Sequence, residues 1–315
     1  MNVIKDKALK KCLNKALGRN SEEPITSKDM ELLTVLEIQN QDIKKIEGLE
    51  YAVNLKELYL SWNKIEDLAP IKDLTKMECL DLENTEIKDI SALKRLTKLT
   101  YLNLEDNHIE DITPLSALVN IKKLELGWNC IEEAKTLGSL INLEDLVIDC
   151  NFIKDISFIK NLTKLKFVNL QENEINNIEP VSRLVNLEDL NVKDNNIVDI
   201  SPIKNLFNLK DLDLENNNIK DISSIANLTK VECLCLGKNQ IVDISAVGRL
   251  NSLKHLNLKN NCIKDISVVK KLKKLNYLNL QDNDIEDVSV VKKLKQLDYV
   301  NLDKDKMETC VNRFN

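Results

Sequence analysis

The sequence lacks most of the signals by which enzymes are recognised. It contains no G-x-x-x-x-G-K-[ST], G-x-G-x-x-G, H-E-x-x-H or G-x-S-x-G motif, and its only histidines are His108 and His255. These absences argue against the common phosphate-binding, dinucleotide-binding, metalloprotease and serine-hydrolase sites. We therefore expect a protein that is not an enzyme and that requires no cofactor.

Apolar and basic signals are also few. No apolar run of about 18 residues occurs, which argues against a transmembrane helix, and the first residues, MNVIKDK, show no apolar core of a secretory signal. The net charge of −6 and the pI of about 5.3 disfavour sequence-independent nucleic-acid binding. The eight cysteines form no C-x-x-C pair and do not recur as a disulfide framework would. We therefore expect free thiols and a cytoplasmic protein.

What the sequence does contain is a unit of 22 residues, repeated twelve times without insertion or deletion over residues 33–296. The pattern L-x-x-L-x-L-x-x-N-x-I/L at a fixed period is the signature of the leucine-rich repeat. Position nine is Asn in ten of the twelve copies. An amide buried at this turn can donate to and accept from the backbones of neighbouring copies. Gln41 and Thr85 replace it, so we expect a local weakness near Thr85.

The repeat predicts an α/β fold, a leucine-rich-repeat solenoid with the form of a curved horseshoe. Apolar positions one, four and six alternate as in a strand, which predicts a parallel β-sheet on the concave side. Positions eleven, fourteen, seventeen and twenty are apolar too, so neighbouring copies must stack to bury them. Ser or Thr at position fifteen, often before Pro, predicts 3₁₀ or short helical turns on the convex side. We interpret the common Asp at position thirteen as a turn cap rather than a ligand.

The N-terminal segment does not follow the repeat. In residues 1–32 the apolar residues have helical spacing as far as Gly18, which we interpret as a C-cap. A second short helix should start at Thr26 or Ser27. Together these helices are expected to form a helical N-terminal cap that covers the open end of the first repeat.

The C-terminal segment, residues 297–315, should contain a partial thirteenth repeat. Met307 and Cys310 fall at core positions and Phe314 follows them, but no amphipathic cap helix is visible. We expect this end to fray. The predicted organisation is therefore a cap in residues 1–32, twelve repeats in residues 33–296 and the C-terminal end.

Several segments resemble one particular family. They are Asp6-Lys7-Ala8-Leu9 with Leu13 and Leu17-Gly18, then Ile25-Thr26 with Asp29, then Ile43 and Ile46-Glu47-Gly48-Leu49-Glu50-Tyr51. These resemble the helical cap and first repeat of bacterial internalin-type proteins, and the Asp-Ile-Ser/Thr-Pro-Leu repeat is similar to theirs. The repeat is also similar to the leucine-rich-repeat regulatory subunit of type-1 protein phosphatase. The resemblance runs from Asp6 to near Leu302 and implies a protein-binding concave face. It also raises an alternative, an adhesin or effector exported by an unrecognised route.

Charge and aromatic residues concentrate at the positions expected to face outward from the concave sheet, namely two, three, five, seven and eight. These positions carry 22 acidic and 10 basic residues, and the first nine copies hold 18 of the acids against 6 bases. Both tryptophans and most of the tyrosines lie there as well. Exposed aromatics beside charges are typical of protein-binding hot spots. The competing interpretation is that strands favour aromatics and that acids keep the chain soluble.

We therefore predict a monomer that binds a basic protein surface and neither nucleic acid nor a membrane interior. The predicted partner-binding residues are Tyr59, Trp62, Asp81, Glu83, Tyr101, Glu105, Glu125, Trp128, Asp145, Asp149 and Phe167.

Two further clusters suggest other functions. Cys233, Cys235 and His255 should share one patch of the sheet, where they could bind Zn²⁺ or supply a thiol nucleophile. The alternative is that these side chains are together by chance. Lysines of the last two full copies should lie on the convex side, either against an anionic surface or simply solvated. They are Lys270, Lys271, Lys273, Lys274, Lys292, Lys293 and Lys295.

Overall fold

The structure is a computed structural model, and it describes residues 4–303. The predictions for Met307, Cys310 and Phe314 lie outside the described residues. The chain forms two compact units, of which the first ends at Ile153 and the second begins at Lys154. The predicted segment boundaries after residues 32 and 296 stay predictions.

The two predicted N-terminal helices are present. Helix α1 spans Lys7–Ala16 and helix α2 spans Ser27–Met30. Asp6 caps α1 by accepting the Leu9 N–H at 2.9 Å, and Thr26 caps α2 in a reciprocal capping box. No helix of residues 4–303 is both long and apolar enough to cross a membrane.

One buried polar residue ties this cap together, and the helical pattern did not reveal it. Asn14 is fully buried on α1. Its side-chain amide donates to the carbonyls of Ser21 and Glu23, at 2.9 and 3.0 Å. The loop between the helices is therefore held by a side chain that helical periodicity would assign to a solvent-facing position.

Each copy contributes one three-residue strand, and neighbours pair in parallel with residue i opposite residue i+22. In the first unit the strands follow chain order: β1 Val35–Glu37, β2 Glu57–Tyr59, β3 Cys79–Asp81, β4 Tyr101–Asn103, β5 Lys123–Glu125 and β6 Asp145–Val147. In the second unit they do so again: β7 Phe167–Asn169, β8 Asp189–Asn191, β9 Asp211–Asp213, β10 Cys233–Cys235, β11 His255–Asn257, β12 Tyr277–Asn279 and β13 Tyr299–Asn301. The predicted fold class, a leucine-rich-repeat fold with a parallel sheet, is confirmed.

A 3₁₀ turn follows each strand from β1 to β12, as predicted. In the first unit these turns are Leu49–Tyr51, Ala69–Ile71, Ser91–Arg95, Thr113–Ala117 and Lys135–Ser139. In the second unit they are Ser157–Asn161, Glu179–Arg183, Ser201–Asn205, Ser223–Asn227, Ser245–Arg249, Ser267–Lys271 and Val291–Lys293. The Asp at position thirteen is a turn cap: Asp111 Oδ1 accepts the Thr113 N–H at 2.8 Å. Position fifteen starts the turn, but position thirteen supplies the cap.

The core has two layers, which the apolar positions predicted. Leu102 and Leu104 from the strand, and Ile109, Ile112 and Leu115 from the turn side, are at most 1 % exposed. Other copies repeat this pattern. Because every copy buries its apolar side chains against its neighbours, the stability of each copy depends on the copies beside it.

The asparagine at position nine forms the predicted ladder. Asn107 donates to the carbonyls of Leu82, Leu104 and Glu105 at 2.8 to 3.1 Å, and its Oδ1 accepts the Ile87 N–H at 3.1 Å. One amide thus satisfies groups in two consecutive copies. A second asparagine ladder, which the sequence reading missed, lies at position 22. There Asn120 donates to the Thr97 carbonyl at 2.8 Å and Asn208 to the Val185 carbonyl at 2.9 Å.

The expected weakness at Thr85 is compensated by local rearrangement. The Thr85 hydroxyl donates to the Leu82 carbonyl at 2.7 Å, and the Thr85 carbonyl accepts the Ile65 N–H that an asparagine would have taken. The next residue, Glu86, has a φ of 61°, in the left-handed region. The same extra left-handed residue, Asp42, follows Gln41. Where the asparagine is absent, the turn therefore takes a different path that still pairs the backbone.

Candidate functional site

The candidate site is the sheet face of the first unit, formed by positions three and five on the strands and seven and eight just after them. Tyr59 lies on β2, where its hydroxyl donates to Glu57 at 3.0 Å and accepts from the Cys79 thiol at 3.4 Å. The bond with Cys79, then burial and Glu57, raise the pKa of Tyr59 far above its usual value. Tyr59 is thus a fixed, neutral aromatic on this face.

Tyr101 belongs to a closed network on β4 and β5. Its hydroxyl donates to Glu125 at 2.8 Å, and Lys123 Nζ lies 2.8 Å from the other oxygen of Glu125. The same Lys123 Nζ lies 5.4 Å from the centre of the Tyr101 ring. Burial, then Glu125, raise the pKa of Tyr101 well above its usual range. The charge of Glu125 is therefore already neutralised within the molecule.

Three other predicted acids have no such cation. Asp81, Glu83 and Glu105 are only partly accessible, and no ion pair joins them to a lysine or arginine of residues 4–303. Burial is the main cause that raises the pKa of each. The carboxylate of Asp149 is the next cause for Glu105, and that of Asp81 is the next for Glu83. These carboxylates therefore repel one another on a partly desolvated surface.

Charged side chains at position two differ from these acids, because they form ion pairs with each other. Lys56 Nζ lies 3.0 Å from Glu78, and Lys210 Nζ lies 2.5 Å from Glu188. Lysine and glutamate from adjacent copies thus neutralise each other along this column. The uncompensated acids lie at positions three, five and seven, closer to the aromatic side chains.

The two tryptophans stand out by their backbone. Position eight has a positive φ in all twelve full copies, and seven of these residues are Asn or Asp, which tolerate that conformation. Trp62 and Trp128 occupy it with φ values of 60° and 54°, and they are 55 % and 56 % exposed. They lie beyond the strand ends, so strand preference does not account for them. Bulky residues in this region are outliers that often mark functional sites.

Each tryptophan lies next to an acidic residue of the following copy. The main-chain N–H of Trp62 donates to the main-chain carbonyl of Glu83 at 2.8 Å. The main-chain N–H of Trp128 donates to the main-chain carbonyl of Asp149 at 3.0 Å. Asp149 is 9 % exposed, and its Oδ1 lies 2.8 Å from the point where a Cβ on Gly127 would stand. Glycine at 127 therefore lets this carboxylate approach the backbone directly before Trp128.

The remaining predicted residues divide between the units. Asp145 is half-buried on β6 of the first unit, whereas Phe167 is half-buried on β7 of the second. Ten of the eleven predicted residues therefore lie in the first unit, and Phe167 lies in the second.

The corresponding face of the second unit has a different character. Burial, then Asp211 and Asp213, raise the pKa of Asp189 to about 6. Further along, Lys238 Nζ lies 3.2 Å from Glu215. The rings of Tyr277 and Tyr299 stack at 4.8 Å between centroids, and His255 lies 5.6 Å from Tyr277. This face therefore combines a lysine-paired glutamate, a group of mutually repelling aspartates and a run of stacked rings.

The alternative site at Cys233, Cys235 and His255 is contradicted by its geometry. Cys233 Sγ lies 3.6 Å from His255 Nδ1, but no group of three or more such side chains within residues 4–303 is arranged to hold a metal ion. Burial is the main cause that raises the pKa of Cys233 to about 11 and that of Cys235 to about 12. Burial therefore disfavours, in both cysteines, the thiolate form that metal binding or nucleophilic attack requires.

Two smaller predictions have clear outcomes. The seven cysteines among the described residues are free thiols, as expected. The seven lysines at positions 270–274 and 292–295 are all exposed, which both predicted alternatives, an anionic surface or a solvated face, require.

Comparison with known proteins shows that the chain is a leucine-rich-repeat protein. The family described as "Leucine Rich repeats (2 copies)" matches residues 53–95, 75–117, 207–249 and 251–293. The leucine-rich-repeat fold is a protein-interaction scaffold. Among curated proteins, none matches the chain.

Solved structures narrow the class further. An internalin, InlF, from Listeria monocytogenes is 31 % identical, with a TM-score of 0.84 and 94 % of each chain covered. Internalin C2 from the same organism is 32 % identical, with a TM-score of 0.56, over 73 % of this chain and 92 % of that one. The chain belongs to the internalin family of leucine-rich-repeat proteins.

A more distant structure shares the fold alone. It is the ectodomain of the Arabidopsis thaliana receptor kinase GASSHO1/SCHENGEN3, in complex with CASPARIAN STRIP INTEGRITY FACTOR 2. It is 22 % identical, with a TM-score of 0.68, over 81 % of this chain and 36 % of that one.

Proposed function

We propose that this protein is a non-enzymatic binding module that takes a basic protein partner on the sheet face of its first unit. The observation that carries the proposal is the placement of Trp62 and Trp128. Each is more than half exposed at a left-handed backbone position, on a face where Asp81, Glu83 and Glu105 form no ion pair with a lysine or arginine of residues 4–303. Neither packing nor backbone preference favours a tryptophan there.

Electrostatics support a basic partner. The pKa values of Asp81, Glu83 and Glu105 are raised because burial and mutual repulsion disfavour their charged forms. A lysine or arginine brought against them would relieve both effects. Charge complementarity of this kind also steers encounter and weakens with salt.

The aromatics would supply the apolar contact area. Trp62 and Trp128 are more than half exposed, while Tyr59 and Tyr101 are held by hydrogen bonds to Glu57 and Glu125. Aromatic side chains fixed before binding lose little entropy on association. The central contacts of the proposed interface are therefore preorganised.

The cytoplasm is the proposed location, supported by the free thiols. Fractionation of the source cells distinguishes it from the exported adhesin or effector that the family resemblance suggests. Recovery of the protein outside the cells would favour that alternative.

An affinity pull-down from source-cell lysate tests the proposed function. We expect a partner that binds the wild type, weakens at high salt and is lost when Tyr59, Trp62, Tyr101 and Trp128 are all changed to Ala. Phe207→Ala is the matched control, because Phe207 is an aromatic, 52 % exposed, on the second unit. Equal recovery by the quadruple variant and the wild type would contradict the proposal.

A further inference from the structure

Lysines are concentrated on the last two 3₁₀ turns of the second unit. Residues 267–274 read SVVKKLKK and residues 289–296 read SVVKKLKQ, so together they hold seven lysines and no acidic, arginine or aromatic residue. In the ten other full copies the same positions hold at most three basic residues. All seven lysines are exposed. We call this group the lysine patch, and its members are Lys270, Lys271, Lys273, Lys274, Lys292, Lys293 and Lys295.

The repeat places these side chains in matching positions. Positions 18, 19 and 21 carry lysine in both copies, and residues 22 apart belong to neighbouring copies whose strands pair in register. Position 21 is uncharged in the ten other full copies. Like charges at matching positions of neighbouring copies repel one another. The core does not require this arrangement, because the other copies fold without it.

Ion pairs do not relieve the repulsion at position 19. In the first unit this position carries Asp73 and Arg95 in adjacent copies, and Arg95 Nη1 lies 2.5 Å from the Asp73 carboxylate. In the lysine patch it carries Lys271 and Lys293, and neither forms an ion pair within residues 4–303. The two units therefore treat the same position in opposite ways, and the patch keeps its charge.

The carboxylates of the same two turns are bound to the backbone. Asp265 Oδ1 accepts the Ser267 N–H at 2.7 Å, and Asp287 Oδ1 accepts the Ser289 N–H at 2.7 Å. These acids cap the start of each turn, whereas the lysines lie toward its end. Seven lysines against two carboxylates leave these turns strongly positive.

We propose that the lysine patch binds the surface of a membrane that contains anionic lipids. Clusters of about four to eight basic residues adsorb to such bilayers, because each cation gains from the negative surface potential. Attachment is to the headgroups, and no part of the chain enters the hydrocarbon. The patch lies on the second unit, so this binding is independent of the partner face proposed on the first.

The composition of the patch favours a lipid surface over other anionic partners. Protein interfaces usually have aromatic or arginine anchors at their centre, and proteins that bind single-stranded nucleic acid combine a basic groove with aromatic stacking. The patch contains neither kind of residue. Lysine is a point charge on a flexible stem rather than a bidentate donor. Such side chains suit many dispersed headgroup charges better than one fixed anion.

Co-sedimentation of the full chain with lipid vesicles tests the proposal. The vesicles consist of phosphatidylcholine alone or of phosphatidylcholine with about 30 % phosphatidylserine. We expect binding only to the vesicles with phosphatidylserine, and we expect it to weaken at high salt. The net charge of −6 would by itself repel the chain from these vesicles, so binding would require a local positive surface.

Two quadruple glutamine variants separate the patch from the net charge. The patch variant replaces Lys270, Lys273, Lys293 and Lys295. The control variant replaces four exposed, dispersed lysines of the second unit, which are Lys160, Lys204, Lys220 and Lys230. Because each lysine near the membrane contributes about fivefold, the patch variant should lower the vesicle partition coefficient by at least about 100-fold. The control variant should bind within about twofold of the wild type.

A third variant keeps the charge and changes the side chain. With arginine at the four positions of the patch variant, vesicle binding should persist, since the attraction depends on charge. Equal binding by the two glutamine variants would overturn the proposal, because net charge alone would then explain the result. Binding to phosphatidylcholine alone would overturn it as well. Tighter binding of single-stranded RNA or polyglutamate than of vesicles, through the same lysines, would overturn the assignment to lipid.

Discussion

The two compact units are built from the same 22-residue repeat, but they differ in how strictly they follow it. In the second unit position nine is Asn in all six copies from Asn173 to Asn283. In the first unit Gln41 and Thr85 replace it, and an additional left-handed residue follows each. Both tryptophans also lie in the first unit. The irregular turns and both tryptophans therefore occur in the same unit.

The charged side chains show the same contrast. On the second unit Glu215 has a lysine partner, whereas Asp81, Glu83 and Glu105 on the first have none within residues 4–303. A strict repeat stabilises the fold, because the asparagine at position nine of each copy pairs with backbone groups of the neighbouring copy. Departures from it leave the backbone paired, as at Thr85, and they occur in the unit that carries both tryptophans. We therefore expect partner binding on the first unit, where the repeat is less regular.

The largest expected effect comes from placing threonine, which stands at position nine in residue 85, at position nine of a copy in the second unit. Asn217 donates to Val192, Leu214 and Glu215 carbonyls and accepts the Ile197 N–H at 2.9 Å. A threonine hydroxyl cannot serve all of these, and buried unpaired backbone groups are costly. We expect Asn217→Thr to lower the free energy of unfolding by about 2–3 kcal/mol, measured by urea denaturation.

The reverse change in the first unit provides the control. At Thr85 the Ile65 N–H already has a backbone acceptor, and the Leu60 carbonyl is bound by Asn63 at 2.7 Å. Thr85→Asn should therefore change the free energy of unfolding by less than about 1 kcal/mol. Effects of equal size at residues 85 and 217 would show that the irregular turn is not adapted to its threonine.

A smaller effect concerns pH. The pKa of Asp189 is raised to about 6, so the folded state binds its proton more tightly than the unfolded state does. The contribution of Asp189 to stability should be fully present below the ordinary aspartate pKa and should be lost as pH rises through 6. Asp189→Asn should raise stability at pH 7.5 by about 1 kcal/mol, allowing for solvent screening, and have little effect at pH 4. Thermal unfolding at both pH values measures this.

Partner binding should respond to pH in the opposite direction. Asp81, Glu83 and Glu105 on the first unit also have raised pKa values, and a basic partner requires their charged forms. Affinity should therefore increase as pH rises through the range in which these carboxylates lose their protons, which lies above the ordinary carboxylate range, while the stabilising contribution of Asp189 decreases. Asp81→Asn should reduce both trends, whereas Asp189→Asn should reduce only the stability trend. An unchanged affinity across this range would argue against these carboxylates as contacts.

Much of the fold was predictable because the repeat translates directly into burial. The apolar positions, the asparagine ladder and the Asp111 turn cap each follow from one residue type at a fixed position. The compensation at Thr85 was not predictable, because it depends on a backbone carbonyl and on the φ of Glu86. The buried Asn14 was missed because its partners lie in an irregular loop.

The site was predictable in outline but not in detail. Column counting placed Trp62 and Trp128 on the correct face, yet it could not show that their backbone is left-handed. It also counted Glu125 with the open acids, although Lys123 and Tyr101 neutralise and hold it. Column counts record sign and position, whereas pairing depends on side-chain conformations that the repeat leaves free.

The smallest test addresses the left-handed residue itself. Glu86 has a φ of 61° and forms an exposed ion pair with Lys64 at 3.1 Å. Asparagine tolerates that backbone better than glutamate, and the lost ion pair contributes little at the surface. We expect Glu86→Asn to raise the free energy of unfolding by about 0.5 kcal/mol, measured by urea denaturation.

Glu174 in the second unit is the matched control for Glu86. It occupies the same repeat position and pairs with Lys154 at 3.1 Å, but it is not among the residues of positive φ. Glu174→Asn therefore loses an equivalent ion pair with no backbone relief, and it should be neutral or slightly destabilising. A gain at both residues would mean that asparagine stabilises this turn for reasons unrelated to φ, and the irregular path at Glu86 would then carry no measurable cost.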